Sequence, residues 1–314
     1  MTKIPVISRR NTFLFGLAAA SSSLADSPIQ ASHDNLPSSL NWGDPAERAR
    51  IQAAVKGSSG NEKVYSFFRL HIYAYTHKGN LVPLVTMSNL NVGYWKPLEN
   101  GNYGATIYEA GIYTKFDSHE VLEEFVNPIT KKKRKPWRFL GGPLSVEIGP
   151  DGIVTGAGAT LKPKPMQIQV FGDTVMLPTA SAFSFPNPIT PKAFPEESSG
   201  DIIYWDSHYV FFANLQDVVN KSISNVQSNI QFQNLVSFHP WLGLGGVDGR
   251  SWGRAYGTKV SSLDQIPDKY LRGLEKETPE IFDIENWKEP VEDYKEYIYG
   301  SRNGIHIIDL QKTL

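Results

Sequence analysis

Seven histidines are scattered singly through the 314 residues, and those that stand beside other reactive groups do so at a spacing of two, the period of a β-strand. His71 lies between Arg69 and Tyr73, and His208 follows Asp206. Arg250, Trp252, Arg254 and Tyr256 alternate in the same way. On an extended backbone each set shares one face, with successive members about 7 Å apart. A cation, an imidazole and a phenol in one row can wall a polar cavity. Histidine would then serve as general base, arginine would steady developing negative charge and tyrosine would donate a proton. The catalytic candidates are therefore His71, His208, Arg69 and Tyr73. The candidates for ligand contact are Tyr113, Trp205, His239, Trp241, Trp252 and Arg254, since rings and guanidinium groups in alternation can stack on a ligand or clamp a carboxylate. Two readings of the Arg69 row stand side by side. It lines a barrel lumen, or it lies on a surface strand shielded by the N-terminal segment or by the tail, with Arg69 paired to an acid such as Glu109. Asp206 and His208 equally fit a plain structural hydrogen bond.

No H-E-x-x-H, G-x-S-x-G or P-loop is present, and no histidine has a partner at ligand spacing, so the sequence proposes no metal and no cofactor. Lysine and arginine number 31 against 32 acids, a balance that argues against a nucleic-acid partner. The one strong charge run, Lys131 to Lys135, reads as a solvated hairpin tip. The chain has no cysteine, which excludes disulfides and thiolate chemistry. Gly243, Gly245, Gly246 and Gly249 read as a mobile lip beside a cavity, and His119 as an exposed, inert turn residue.

The elements that must position these groups are mostly strands. Runs rich in Tyr, Phe, Val, Ile and Thr are separated by Gly, Asn, Asp and Pro. Strands are expected near 64–75, 81–90, 103–114, 144–148, 153–157, 166–171, 174–177, 202–212, 234–238 and 250–260. Helices are expected after Asp44, with Pro45 at the first helical position, over Val218 to Gln231, over Leu263 to Glu275, and in a surface tail from Glu277 to Tyr299. Many hairpin-linked antiparallel strands imply a mainly β fold, an antiparallel barrel or barrel-like curved sheet with a few peripheral helices. The organisation expected is a signal over 1–25, an N-terminal segment with a short helix over 26–62, and one barrel-like domain over 63–314 with a helical tail.

The N-terminal segment reads as an address. Ser8-Arg9-Arg10-Asn11 precedes the apolar run Phe13 to Ala20 and the small-x-small site Ser23-Leu24-Ala25, the order of an export signal of twin-arginine type. Thr12 departs from the usual box, which leaves ordinary Sec export as the alternative. The expected location is the periplasm, the expected partner the twin-arginine machinery. No stretch is long enough for a stable membrane span.

One stretch is more specific: Glu109-Ala110-Gly111-Ile112-Tyr113-Thr114-Lys115-Phe116-Asp117, then Val121 to Phe125 and Asn127-Pro128-Ile129-Thr130. With Phe68 to Tyr73 upstream and Trp252 to Lys259 leading into Ser261 to Pro267 downstream, it resembles the bacterial domain of unknown function 1838 family. The resemblance implies a β fold and export but no activity. Asn127-Pro128 itself reads as a rigid turn whose side chain bonds nearby backbone. The functional expectation is an exported protein that holds a small hydrophobic or aromatic metabolite in a barrel cavity and converts it by non-redox acid/base chemistry. The alternatives are a carrier without chemistry and an envelope interaction protein without a ligand.

Overall fold

The computed structural model describes residues 36–79, 81–137, 139–155 and 168–283. The strands in chain order are β1 Glu62–Thr76, β2 Leu81–Pro97, β3 Tyr103–Thr114, β4 Phe125–Val126, β5 Lys133–Arg134, β6 Phe139–Gly149, β7 Gly152–Thr155, β8 Gln169–Phe171, β9 Thr174–Pro186, β10 Ile202–Asn214, β11 Ser228–Val236 and β12 Gly249–Val260. The α-helices are α1 Pro45–Lys56, α2 Leu215–Val219 and α3 Asp268–Glu277. Ten strands form one sheet in the order β7-β6-β3-β2-β1-β12-β11-β10-β9-β8, while β4 and β5 make a separate hairpin. Every pairing is antiparallel, and the sheet curls into a half-barrel. The mainly β, barrel-like architecture expected from the hairpin pattern is the architecture found. No described helix is long and apolar enough to cross a membrane.

Strand parity assigns the two faces. Phe139 and Leu144 of β6, Phe185 of β9 and Trp205 of β10 all pack against one buried cluster of Ile189, Phe194 and Ile203, although five strands separate β6 from β10 in the sheet. Strands so far apart in the sheet share one cluster across the inside of the curl, so the face that carries these side chains is concave. On β1 the concave set is Val64, Ser66, Phe68, Leu70, Ile72 and Ala74, by register with Ser207, Tyr209 and Phe211 of β10. Strand β12, in the middle of the sheet, turns only small residues inward around its centre: Ser251, Gly253, Ala255 and Gly257. A Cβ on Gly253 would stand 2.2 Å from Asn234 Oδ1 and 2.8 Å from Leu70 Cδ1. The curl needs the missing side chain there.

Helix α1 closes one end of the concave side. Asp44 accepts a hydrogen bond from the Ala46 amide at 2.9 Å, and Pro45 opens the first turn, as the cap chemistry requires. Ile51, Ala54 and Val55 pack against Val175, Leu177 and Ala213 of β9 and β10, while Ala53 packs with Val64, Trp95, Ala105 and Ile148 of β1, β2, β3 and β6. One helix thus touches both walls. Its C-terminal carbonyls are held by Lys259, which is 2 % exposed. The ammonium donates to Ala54 O at 2.9 Å, Gly57 O at 2.5 Å and Val226 O at 2.8 Å, a cation placed where the helix dipole is negative. Ser228 adds a bond to Val55 O at 2.8 Å.

The structure corrects several expectations. The helix expected over Val218 to Gln231 is absent: α2 stops at Val219, and from Ser228 the chain is strand β11. The helical spacing of Val218, Ile223, Val226 and Ile230 is interrupted by Asn220-Lys221-Ser222, whose turn is closed by Ser222 N to Asn220 Oδ1 at 3.0 Å. Ile230, Phe232, Asn234 and Val236 then alternate as a strand should. Leu263 to Glu275 divides into a 3₁₀ turn at Leu263–Gln265 and helix α3, because Pro267 separates them. Of the tail helix, Glu277 ends α3, Pro279–Phe282 is a 3₁₀ turn, and residues 284–299 lie outside the described residues, as do the export signal and the strand ends between 156 and 167. Lys131 to Lys135 runs through the small hairpin: Lys132 and Arg134 pair with Glu196, and Lys133 pairs with Glu124 at 2.5 Å.

Lys259→Met should cost about 2–4 kcal/mol, the scale for leaving buried carbonyls without their charged donor. Urea unfolding would show this as a lower midpoint at unchanged slope. A midpoint equal to wild type would mean that the helix does not depend on this lysine.

Candidate functional site

The concave side has three layers. At one end lie α1 and the buried residues beneath it. At the other, Leu70, Ile72, Val85, Tyr113, Phe125, Phe238, Trp241, Leu242 and Leu244 form a closed cluster. Asn127 staples this second plug: Nδ2 donates to Leu242 O at 2.6 Å, and Oδ1 accepts from the amides of Ile129 at 2.7 Å and Thr130 at 3.1 Å. The rigid-turn reading of Asn127-Pro128 is what the structure shows. Between the plugs runs a belt of concave side chains that are only partly buried: Phe68, Asn91, Ile107, Glu109, Tyr209, Phe211 and Phe232. This partly accessible layer lies between two buried ones.

Glu109 is the charged member of that belt. It is presented by β3 in register with Asn91 of β2. Its Oε1 accepts from Asn89 Nδ2 at 2.7 Å, and among the described residues no cation lies within ion-pair distance of it. Burial pushes its carboxyl up to about 7, against which the Asn89 bond acts. Asn89 is 2 % exposed, and its Oδ1 has no hydrogen-bond partner. Ser207 of β10, also concave, has an equally orphaned hydroxyl. Tyr209 stacks on Phe232 at 4.3 Å between centroids. Burial, and then the Glu109 carboxylate, push its phenol upward, which couples the two walls electrically. The belt therefore offers rings, a carboxyl poised to hold or release a proton near neutral pH, and unsatisfied acceptors and donors.

The residues singled out from the sequence divide between the two faces. Tyr113, Trp205, His239 and Trp241 are on the concave side. Tyr113 meets Trp241 at 4.6 Å and Trp205 meets His239 at 6.4 Å. Burial pushes the Tyr113 phenol up to about 12 and holds His239 at about 4, a neutral imidazole. Arg69, His71, Tyr73, Trp252 and Arg254 are together on the convex face, where His71 pairs across the ladder with Arg254 and Tyr73 with Trp252. His208 occupies the same convex row, three strands on through Arg254 and Gln233, hence about 14 Å from His71. The two histidines do not share a site.

Of the two readings of the Arg69 row, the covered outer face is the one observed, but its details differ. Glu109 points to the opposite face, so it is no partner for Arg69. The partner is His119, whose Nε2 lies 2.5 Å from Arg69 Nη1. His119 is therefore neither exposed nor idle. The glycine-rich segment is no mobile lip: Leu244 is 1 % exposed, Gly243 takes the left-handed conformation (φ 63°) that ends the 3₁₀ turn Pro240–Leu242, and the Gly245 amide donates to Glu196 O at 2.8 Å.

Asn89 and Tyr209 were not singled out from sequence, and Glu109 entered only as a possible partner for Arg69. The signal for Glu109 is parity: it alternates with Ile107, Gly111 and Tyr113, a lone carboxylate on an otherwise uncharged strand face.

A family model described as "Protein of unknown function (DUF1838)" matches residues 61–302. No curated protein matches the chain. Among solved structures, a candidate AttH protein from Nitrosomonas europaea is similar at 10 % identity and a TM-score of 0.20 over 68 % of this chain. The match spans 56 % of that protein's length, and a likeness so slight carries no argument.

Glu109→Gln should raise stability above neutral pH. A carboxyl held near 7, against 4.5 for the ordinary group, keeps its proton in the folded chain after the unfolded chain has lost it. Folded stability therefore falls as pH rises from about 4.5 to about 7 and stays lower beyond, by at most about 3 kcal/mol. Denaturation at pH 4.5 and pH 8 should find the variant close to wild type at the first and more stable at the second. Equal stability at both would place Glu109 in water.

Proposed function

The chain belongs to the DUF1838 family of unknown function, and from its geometry we propose that it binds a small, largely apolar, ring-bearing molecule in the belt between the two plugs. Glu109 carries this reading. A carboxyl in a ring-lined, partly exposed belt, with one amide for a partner and no cation among the described residues, is tolerated because it can stay neutral, and as a neutral acid it donates to a ligand carbonyl or hydroxyl. Asn89 Oδ1 and the Ser207 hydroxyl supply further hydrogen-bonding positions. Phe68, Tyr209, Phe211 and Phe232 supply the apolar walls.

A second reading, conversion of the ligand by acid/base catalysis, is favoured by the same carboxyl, since a proton carrier with its pKa near 7 suits both directions of transfer. The catalytic group is then Glu109 rather than His71 or His208. The N-terminal pattern of paired arginines, apolar run and small-residue cleavage site supports export by the twin-arginine route to the periplasm, where the mature chain would begin near Asp26.

Small molecules released from protein purified from its native host should include one ring-bearing apolar species, and the neutral dye Nile red should compete with it saturably. Phe68→Trp, which fills the belt, should weaken dye binding about tenfold. Absence of both a released species and saturable dye binding would sink the proposal. With the molecule in hand, Glu109→Gln separates the readings: binding kept and conversion lost means an enzyme, while no conversion by wild type means a carrier. For location, N-terminal sequencing of the exported protein should start near residue 26, and replacing Arg9 and Arg10 by lysine should leave the precursor in the cytoplasm. An uncleaved chain of full length would contradict export.

A further inference from the structure

The convex face keeps an open depression of about 730 Å³, within the ~300–1,000 Å³ of small-ligand sites. Tyr73 of β1, with Phe116 and Asp117 of the turn after β3, stands at one side of it, and Phe212 of β10 stands at the other. Between them lie Arg254 and Tyr256 of β12 and Asn229 and Gln231 of β11. The register sets Tyr256 beside Gln231 and Phe212 beside Asn229. The turn is tied to the sheet: Asp117 takes the left-handed conformation at φ 56°, its amide donates to Thr86 Oγ1 at 2.8 Å, and its carboxylate meets His71 at 3.2 Å.

These groups divide into two chemistries. The rings pack on one another: His71 lies 5.5 Å from Phe116 and 6.0 Å from Tyr256, and Tyr73 lies 5.3 Å from Phe116, between centroids. Rings already in contact leave no slot for a further planar ring, so the cluster offers a ligand its outer surface. That surface is open, with Tyr256 60 % exposed. The polar groups beside it are planar forks. Arg254 lays its face on Trp252, 3.7 Å from the ring centroid, and its N–H donors meet no acceptor among the described residues. The side-chain amides of Asn229 and Gln231 are exposed and likewise have no partner among the described residues. Asp117 and Arg254 offset one another in charge, so the depression favours a ligand without net charge.

We propose that this depression is a second binding site, for a short neutral saccharide, with sugar rings laid on Tyr256 and Phe116 and their hydroxyls held by Arg254, Asn229 and Gln231. A sugar ring presents an apolar face of C–H groups and a rim of hydroxyls, each both donor and acceptor. The face suits an exposed aromatic surface, and neighbouring hydroxyls suit the paired donors and acceptors of an amide or a guanidinium. The site lies on the face of the sheet opposite the belt and does not depend on it.

The probes are maltotetraose, cellotetraose and chitotetraose, each titrated into the full chain by calorimetry. At least one should saturate below about 10 mM, and Nile red should not displace it. Tyr256→Ala should weaken that sugar about tenfold, and Gln231→Ala several-fold. Both positions are exposed, so the fold survives the substitutions, and an unchanged urea midpoint checks that it does. Saturation by none of the three sugars, or binding that neither substitution alters, would overturn the proposal. So would displacement by Nile red, which would merge this site with the belt. If the sugars fail and the chain instead self-associates in sedimentation, with Tyr256→Ala restoring the monomer, the face is a protein interface and the saccharide reading falls.

Discussion

The half-barrel depends on one buried ammonium. A curled sheet with an open end would expose its apolar interior, and α1 closes that end only if its C-terminal carbonyls find donors away from water. Lys259 supplies them from β12 itself, reaching Ala54, Gly57 and Val226 at once. Burial pushes this lysine down to about 7, so the contact is expensive to make and is made where three acceptors converge. The same strand turns glycine and alanine inward farther along, which gives the sheet its curl and the interior its room.

From that closure follows the division of labour between the faces. Inside, two packed plugs leave a partly accessible belt whose carboxyl, Glu109, has no cation beside it among the described residues. Outside, α3 covers the convex side of β1 to β3 with Ile266, Tyr270 and Leu274 and leaves β12, β11 and β10 open. Glu109 inside and Arg69 outside are served by one strand: Asn89, which bonds Glu109, and Ser88, which faces Arg69, are consecutive residues of β2 pointing in opposite directions. Alternation at a period of two separates the charges by the thickness of the sheet.

Much of this is legible in the sequence. Period-two patterning identifies β1, β3, β10 and β12 almost to the residue, and Asp44-Pro45 marks the start of α1. Alternation also groups Arg69, His71 and Tyr73 correctly on one face, but it cannot say which face the curl encloses, because both are bulky. That assignment needs partners distant in sequence: Trp205, Phe139 and Leu144 on one shared cluster, and α3 against Phe67. Glu109, named from sequence only as a possible partner for Arg69, escapes notice as a site residue for the same reason. Its neighbours are apolar either way, and only the closure of the barrel around it turns an ordinary acid into one held near neutrality. The segment after Val219 misleads because helical spacing arises by chance across a turn and the first residues of a strand.

The central claim is that a carboxyl in an accessible interior stays protonated close to neutral pH. Carbon-13 NMR titration of the glutamate carboxyl groups, with Glu109→Gln to assign the signal, tests it most directly. The account predicts a Glu109 midpoint at about 7 that moves when a ligand fills the belt, and a midpoint in the ordinary carboxylate range, indifferent to ligand, would contradict it.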